Sequence, residues 1–237
     1  ENGDVVFNTD LVKMDISNQS VNTIRYTWKC TNLTDFSCSK NPALTQLNYT
    51  FPATMSNLYC SSCSISSIAD LSNTQLINFD CSANQLLVLP EFPDTLKYLD
   101  CSNNPVTFLP TLLPLSLETL YCNTCSIFSV DLSSSVNLLT ASFQGGIFNA
   151  NIVLSLPDNL RRLSIINTGL ISLLTFSNPT ASLPMSMSYL NVTSCSLVSL
   201  PSMSISMSYI NISHNPFMGG SQTERTTNEL IANAQLT

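Results

Sequence analysis

The feature that most constrains this chain is a period of 20 to 22 residues. Residues 76–86 (LINFDCSANQL), 96–106 (LKYLDCSNNPV), 117–127 (LETLYCNTCSI) and 160–170 (LRRLSIINTGL) share one template. It has apolar residues at positions 1, 4, 6 and 11, and Asn, Cys or Thr at position 9. Extended in both directions, the template starts at Leu11, Leu33, Met55, Leu76, Leu96, Leu117, Leu138, Leu160, Met187 and Met207. Successive starts lie 22, 22, 21, 20, 21, 21, 22, 27 and 20 residues apart. One such unit cannot bury its own apolar face, but stacked neighbours make a continuous core, so the period dictates a solenoid.

The template L-x-x-L-x-L-x-x-N/C-x-L resembles that of leucine-rich-repeat proteins from about residue 11 to residue 217. The resemblance implies one short parallel strand per repeat around positions 3 to 7, a turn at position 9, and a return along the convex side. Ten strands at the usual spacing would form a curved rod about 45 to 50 Å long. The returns at 87–95 (LVLPEFPDT) and 108–116 (FLPTLLPLS) carry prolines, which fix φ and withhold a donor, so irregular or polyproline-like segments are expected there, with little helix. Other returns read SIADLSNTQ (67–75) and SVDLSSSVN (129–137). Both styles resemble the short repeats of bacterial secreted effectors and of bacterial or phage surface proteins.

Two places depart from the pattern. The repeat at Leu138 carries Ala141, Phe143 and Gly146 at template positions, and the return at 173–186 is about half a dozen residues longer than the others. Residues 1–10 are expected to cap the first repeat, with Trp28 and Cys30 packed on its return. Residues 218–237 leave the repeat and predict a capping helix, because Thr226 and Glu229 form a capping box before Leu230 and Ile231. The chain begins at Glu1, which fits either a removed leader or a start inside a longer product.

Nine cysteines, with CxxC pairs at Cys60–Cys63 and Cys122–Cys125, raise the question of a zinc or redox site. The register points to a structural role. Cys38, Cys60, Cys81, Cys101 and Cys122 fall at inward position 6, where small apolar thiols suit a stacked column. Cys63, Cys125 and Cys195 fall at position 9, in place of Asn41, Asn84, Asn104 and Asn215, whose amides should bond neighbouring turns. The two CxxC pairs lie three repeats apart and cannot share one ion, so no metal and no cofactor is expected. The resemblance does not extend to the cysteine-flanked caps common in animal extracellular relatives, which leaves the redox compartment open.

The only histidine, His214, could approach Cys195 one repeat earlier, but Cys195 belongs to the inward ladder, and enzyme activity is not expected. The sequence has no glycine-rich phosphate loop, HExxH motif or EF-hand loop. A net charge of -7 argues against a nucleic-acid groove, and no apolar run is long enough to span a membrane. Sequons occur at Asn18, Asn32, Asn48, Asn191 and Asn211, the last two on the strand face.

That face is where a solenoid offers a long rigid surface. Position 5 reads Asp15, Ser37, Tyr59, Asp80, Asp100, Tyr121, Ser142, Ser164, Asn191 and Asn211, and position 7 is rich in serine. Position 3 adds Tyr98, Tyr189 and Tyr209, with Arg162 as its late positive charge. The candidate ligand-binding set is therefore Tyr59, Asp80, Tyr98, Asp100, Tyr121, Arg162, Tyr189 and Tyr209, because tyrosine gives large amphipathic contacts at low entropic cost. The bland reading is that Tyr and Ser simply suit exposed strand positions. The leading function is non-catalytic recognition or adhesion to a protein or glycan, displayed extracellularly on a cell, secreted structure or virion. One alternative is a spacer or decoration domain of a larger assembly. Another is the substrate-binding part of a secreted bacterial ubiquitin-ligase effector, which the LPEFPDTLKYL repeat (89–99) resembles.

Overall fold

The computed structural model describes residues 10–24, 30–127, 130–132, 134–146, 154–168, 183–195 and 206–215. The expected caps at 1–10 and 218–237, Trp28, and most of the long return at 173–186 lie outside the described residues, apart from Asp10 and the end of that return.

Ten short strands form one parallel sheet in the order of the repeats. They are Lys13–Asp15, Asp35–Ser37, Asn57–Tyr59, Asn78–Asp80, Tyr98–Asp100, Thr119–Tyr121, Thr140–Gln144, Arg162–Ile166, Tyr189–Thr193 and Tyr209–Asn211. Position 3 of each repeat pairs with position 3 of the next, from Lys13 with Asp35 to Tyr189 with Tyr209. The 27-residue interval does not disturb this register, since Arg162 still pairs with Tyr189 and the added residues fall in the return. Positions 1, 4 and 6 point into one continuous core. Phe36, Leu58, Phe79, Leu99 and Leu120 fill position 4, and the cysteine column from Cys38 to Cys122 fills position 6, all nearly inaccessible to solvent.

Among the described residues no helix occurs. The returns are partly more regular than expected: Gln46–Leu47 pairs with Ser67–Ile68, and Val130–Asp131 with Leu154–Ser155, as small parallel ladders behind the main sheet. Between them, the proline-bearing returns at 87–95 and 108–116 form no ladder, as the missing N–H donors require. Proline also has a second use. Pro52, Pro93, Pro114, Pro157 and Pro184 each lie three residues before position 1, and each carbonyl accepts the N–H of that Leu or Met at 3.0 to 3.2 Å. A P-x-x-L turn thus swings the chain from the return into the next strand.

The other turn sits at position 8. In all ten repeats this residue has positive φ: Asn18, Lys40, Ser62, Ala83, Asn103, Thr124, Gly145, Asn167, Ser194 and His214. Only a left-handed residue turns the strand end so that position 9 points back inward. Gly and Asn adopt that conformation readily, whereas a β-branched residue is strained there. Thr124, at φ 54°, is the one β-branched residue in this column. Thr124→Asn is expected to stabilise the protein by about 1 kcal/mol, a rise of a few degrees in Tm. A lower Tm would show that Thr124 gains more from its surroundings than it loses to strain.

Candidate functional site

The solvent-facing side of the sheet divides the eight candidate residues into two clusters. Tyr59, Asp80, Asp100 and Tyr121 stand on consecutive strands as register partners at position 5. Tyr98, at position 3, meets Tyr121 edge to face, with ring centroids 5.9 Å apart at 69°. Arg162, Tyr189 and Tyr209 form a separate column at position 3. The Arg162 guanidinium lies 4.3 Å from the Tyr189 ring centroid, and Tyr189 stacks on Tyr209 at 4.5 Å and 8°. Such stacking holds the guanidinium in place by cation–π attraction. Between the clusters lies the strand Thr140–Gln144, whose outward Ser142 side chain is tied to Asn123 Oδ1 at 2.8 Å.

The aspartates have a structural duty that the sequence reading did not assign. Asp80 Oδ1 accepts the Ser82 N–H at 2.9 Å and its hydroxyl at 2.7 Å, and Asp100 Oδ1 accepts the Ser102 N–H at 2.9 Å. Asp15 with Ser17 and Asn211 with Ser213 repeat the arrangement. The Asp-x-Ser pattern is therefore an Asx-type closure that steers the strand end into the left-handed turn. Each aspartate uses Oδ1 in this closure. Burial pushes the Asp100 carboxyl above the usual carboxylate range, its hydrogen bonds with Ser102 pull the other way, and Asp80 adds to the rise. Burial, reinforced by Asp100 and Asp80, pushes the Tyr98 phenol up to about 12, so it remains a hydrogen-bond donor at neutral pH.

The first four repeats are zipped rather than open. Lys13 pairs with Asp35 at 3.6 Å, Asn57 donates to Asp35 at 2.9 Å, and Asn78 donates to Asn57 at 2.7 Å. Serines also bond across the strands: Ser17 at position 7 meets Ser37 at position 5 at 2.6 Å, and Ser61 donates to Ser39, both at position 7, at 3.2 Å. Sequence reasoning also missed a groove of about 550 Å³ at the leading edge of the sheet, open to solvent and lined by Lys97, Glu118, Asn137, Asn159, Arg161 and Ser186. Lys97 and Glu118 pair across it at 2.8 Å, and Asn137 and Asn159 each donate to a carbonyl of the preceding return, Leu115 and Val136. The only sequence signal for it is the recurrent Ser or Asn immediately before position 1.

All nine cysteines are buried and free of disulfides. At position 9, Asn41, Asn84, Asn104 and Asn215 donate through Nδ2 to the position-6 carbonyl of the preceding repeat at 2.7 to 3.0 Å. Cys63, Cys125 and Cys195 donate their thiols to the equivalent carbonyls of Cys38, Cys101 and Ile165 at 3.4 to 3.5 Å. The cysteines at position 9 thus stand in for ladder amides, as the register implies. Cys195 also bonds Thr168, whereas the exposed His214 ring meets Ser213, so neither partners the other as a nucleophile and base. One arrangement escapes the spacing argument. The two CxxC pairs do stay apart, but Cys101 of the neighbouring repeat joins Cys122 and Cys125, and their three sulfurs lie within 4.8 Å of one another. Burial pushes the Cys122 thiol well up, whereas hydrogen bonds from Cys101 and Cys122 pull the Cys125 thiol down.

No protein-family model matches the sequence, and no curated protein is similar to it. Among solved structures, a complex of TLR13 with ssRNA13 is similar at 19% identity and a TM-score of 0.52, covering 72% of this chain and 27% of that one. YopM from Yersinia enterocolitica WA-314 is 19% identical with a TM-score of 0.45, covering 87% of this chain and 56% of YopM. The functional domain of InlJ from Listeria monocytogenes, described as including a cysteine ladder, is 16% identical with a TM-score of 0.37, covering 92% of this chain and 66% of that one. This chain therefore spans about half of the YopM chain and about a quarter of the TLR13 chain.

Proposed function

We propose that this chain, a leucine-rich-repeat protein in sequence and in fold, is a non-catalytic recognition module that binds a protein or glycan across the open face of its sheet. The observation that carries this reading is the cluster of Tyr59, Tyr98 and Tyr121 around Asp80 and Asp100. It sets three aromatic side chains beside two carboxylates on a rigid, hydrogen-bonded frame. Aromatic anchors on a pre-ordered surface lose little entropy on binding. The net charge of -7 favours basic protein surfaces or neutral sugars over nucleic acid. Display on a cell, a secreted structure or a virion is part of the same proposal, and no helix among the described residues is long and apolar enough to cross a membrane.

A second reading has its own observation. Val88, Phe108 and Leu112 on the return side are 76%, 60% and 79% exposed, an apolar surface that would suit a spacer or decoration domain gripped from behind.

Panning the full chain on a glycan array and on a library of displayed surface proteins supplies a ligand with which to separate the two. Tyr98→Ala/Tyr121→Ala is expected to weaken binding several hundredfold, taking about 2 kcal/mol per anchor, while the melting temperature stays within about 2 °C. Val88→Ser/Phe108→Ser should leave affinity unchanged. The reverse pattern supports the spacer reading.

A further inference from the structure

Only one of the ten repeats has no side chain at position 9. Cys125 is followed in the next repeat by Gly146 rather than by an Asn or Cys, and a Cβ at Gly146 would sit 2.8 Å from the Cys125 carbonyl oxygen. Where the same cysteine pattern occurs earlier, at Cys38, Cys60 and Cys63, the following repeat supplies Asn84. That amide donates to the Cys60 carbonyl at 2.8 Å and accepts the Ile65 N–H at 2.9 Å. Among the described residues, only the set beside the glycine brings three metal-binding side chains within 4.8 Å of one another.

We propose that Cys101, Cys122 and Cys125 form a buried site for one soft monovalent d10 ion of the copper(I) class. The donors are three sulfurs, with no imidazole or carboxylate among them. Thiolates select soft ions, whereas structural zinc takes four ligands in a closed tetrahedron. Cys101, Cys122 and Cys125 are 0%, 1% and 3% exposed, which leaves little access for a water as a fourth ligand. Copper(I) is at home with three sulfurs. Cys101 and Cys122 project inward at the same position of adjacent repeats, and Cys125 returns to them from the end of the second strand, so the sheet itself holds the three donors in place. Loading replaces thiol protons, which leave to the buffer, and the metal stays Cu(I) throughout.

The test uses the full chain under anaerobic, reducing conditions, titrated with Cu(I) against the chelator bicinchoninate. One equivalent should be retained, with X-ray absorption showing coordination by sulfur alone. Cys125→Asn restores the amide that other repeats use at this position, so it should fold, and it is expected to weaken retention at least tenfold. Cys63→Asn, the matched change in the earlier pattern, should retain copper as the parent does. Failure of the parent to compete with the chelator overturns the proposal. So does full retention by Cys125→Asn, or an equal loss in Cys63→Asn.

Discussion

Replacing Phe143 with Cys lowers stability by about 3 kcal/mol, and adding Ala141→Leu to that variant returns most of it. The expectation comes from a volume exchange inside one repeat. Elsewhere in the middle of the solenoid, position 4 holds Leu or Phe and position 6 holds Cys. In the repeat at Leu138 the order is inverted, with Ala141 at position 4 and Phe143 at position 6, each 1% exposed. The two side chains lie on the same side of one strand, flanked by Leu120 and Leu163 at position 4 and Ile165 at position 6. Removing the ring leaves a cavity, for which Phe-to-small changes cost about 3 to 5 kcal/mol. Ala141→Leu alone overfills the interior and costs about 1 to 3 kcal/mol. Together they rebuild the Leu-and-Cys arrangement of the neighbouring repeats, so the double variant should lie within about 1 kcal/mol of the parent. Denaturant unfolding of the four proteins measures the coupling directly. Additive losses would mean that the two side chains do not share space.

Asn104→Ala should lower stability by about 2 to 3 kcal/mol, whereas Asn103→Gly should be neutral or slightly stabilising. Asn104 is 2% exposed. Its Nδ2 donates to the Cys81 and Cys101 carbonyls at 2.9 and 3.0 Å, and its Oδ1 accepts the Leu86 N–H at 3.0 Å. Alanine leaves these groups buried without that partner, and each unpaired group costs about 1 to 3 kcal/mol before the structure relaxes. Asn103 has φ 55° at the left-handed position, where glycine is at ease. Glycine is therefore the proper control, because alanine at position 103 would add backbone strain of its own. Equal thermal shifts in the two variants would place the inward ladder at the wrong residue.

These features were legible in the sequence to very different degrees. The strand register was, because the inward positions 1, 4 and 6 must be apolar in every repeat, and a one-residue slip would expose the whole set. The position-9 ladder was also legible, since Asn or Cys fills that position in seven of the ten repeats. The position-8 turn was hidden by its own tolerance: Lys40, Ala83 and His214 share no chemistry, and only backbone geometry unites them. The P-x-x-L turn was present in five returns but looked like general proline punctuation until the carbonyl bonds were seen. At the candidate site, the outward residues were readable from strand alternation. Their division into an acidic tyrosine cluster and an Arg162–Tyr189–Tyr209 stack depends on rotamers that alternation does not fix. The thiol trio was missed because Cys101 lies outside the CxxC motif that drew attention.

The central claim is that ligand contacts fall on the open face of the sheet, and side-chain footprinting with hydroxyl radicals, with and without the captured ligand, tests it most directly. Tyr59 and Tyr209 are 38% and 43% exposed, so both react in the free protein and differ only in cluster. The account predicts that bound ligand protects Tyr59, Tyr98 and Tyr121 while Val88, Phe108 and Leu112 react as before. Protection of Phe108 and Leu112 with the three tyrosines unchanged would contradict it.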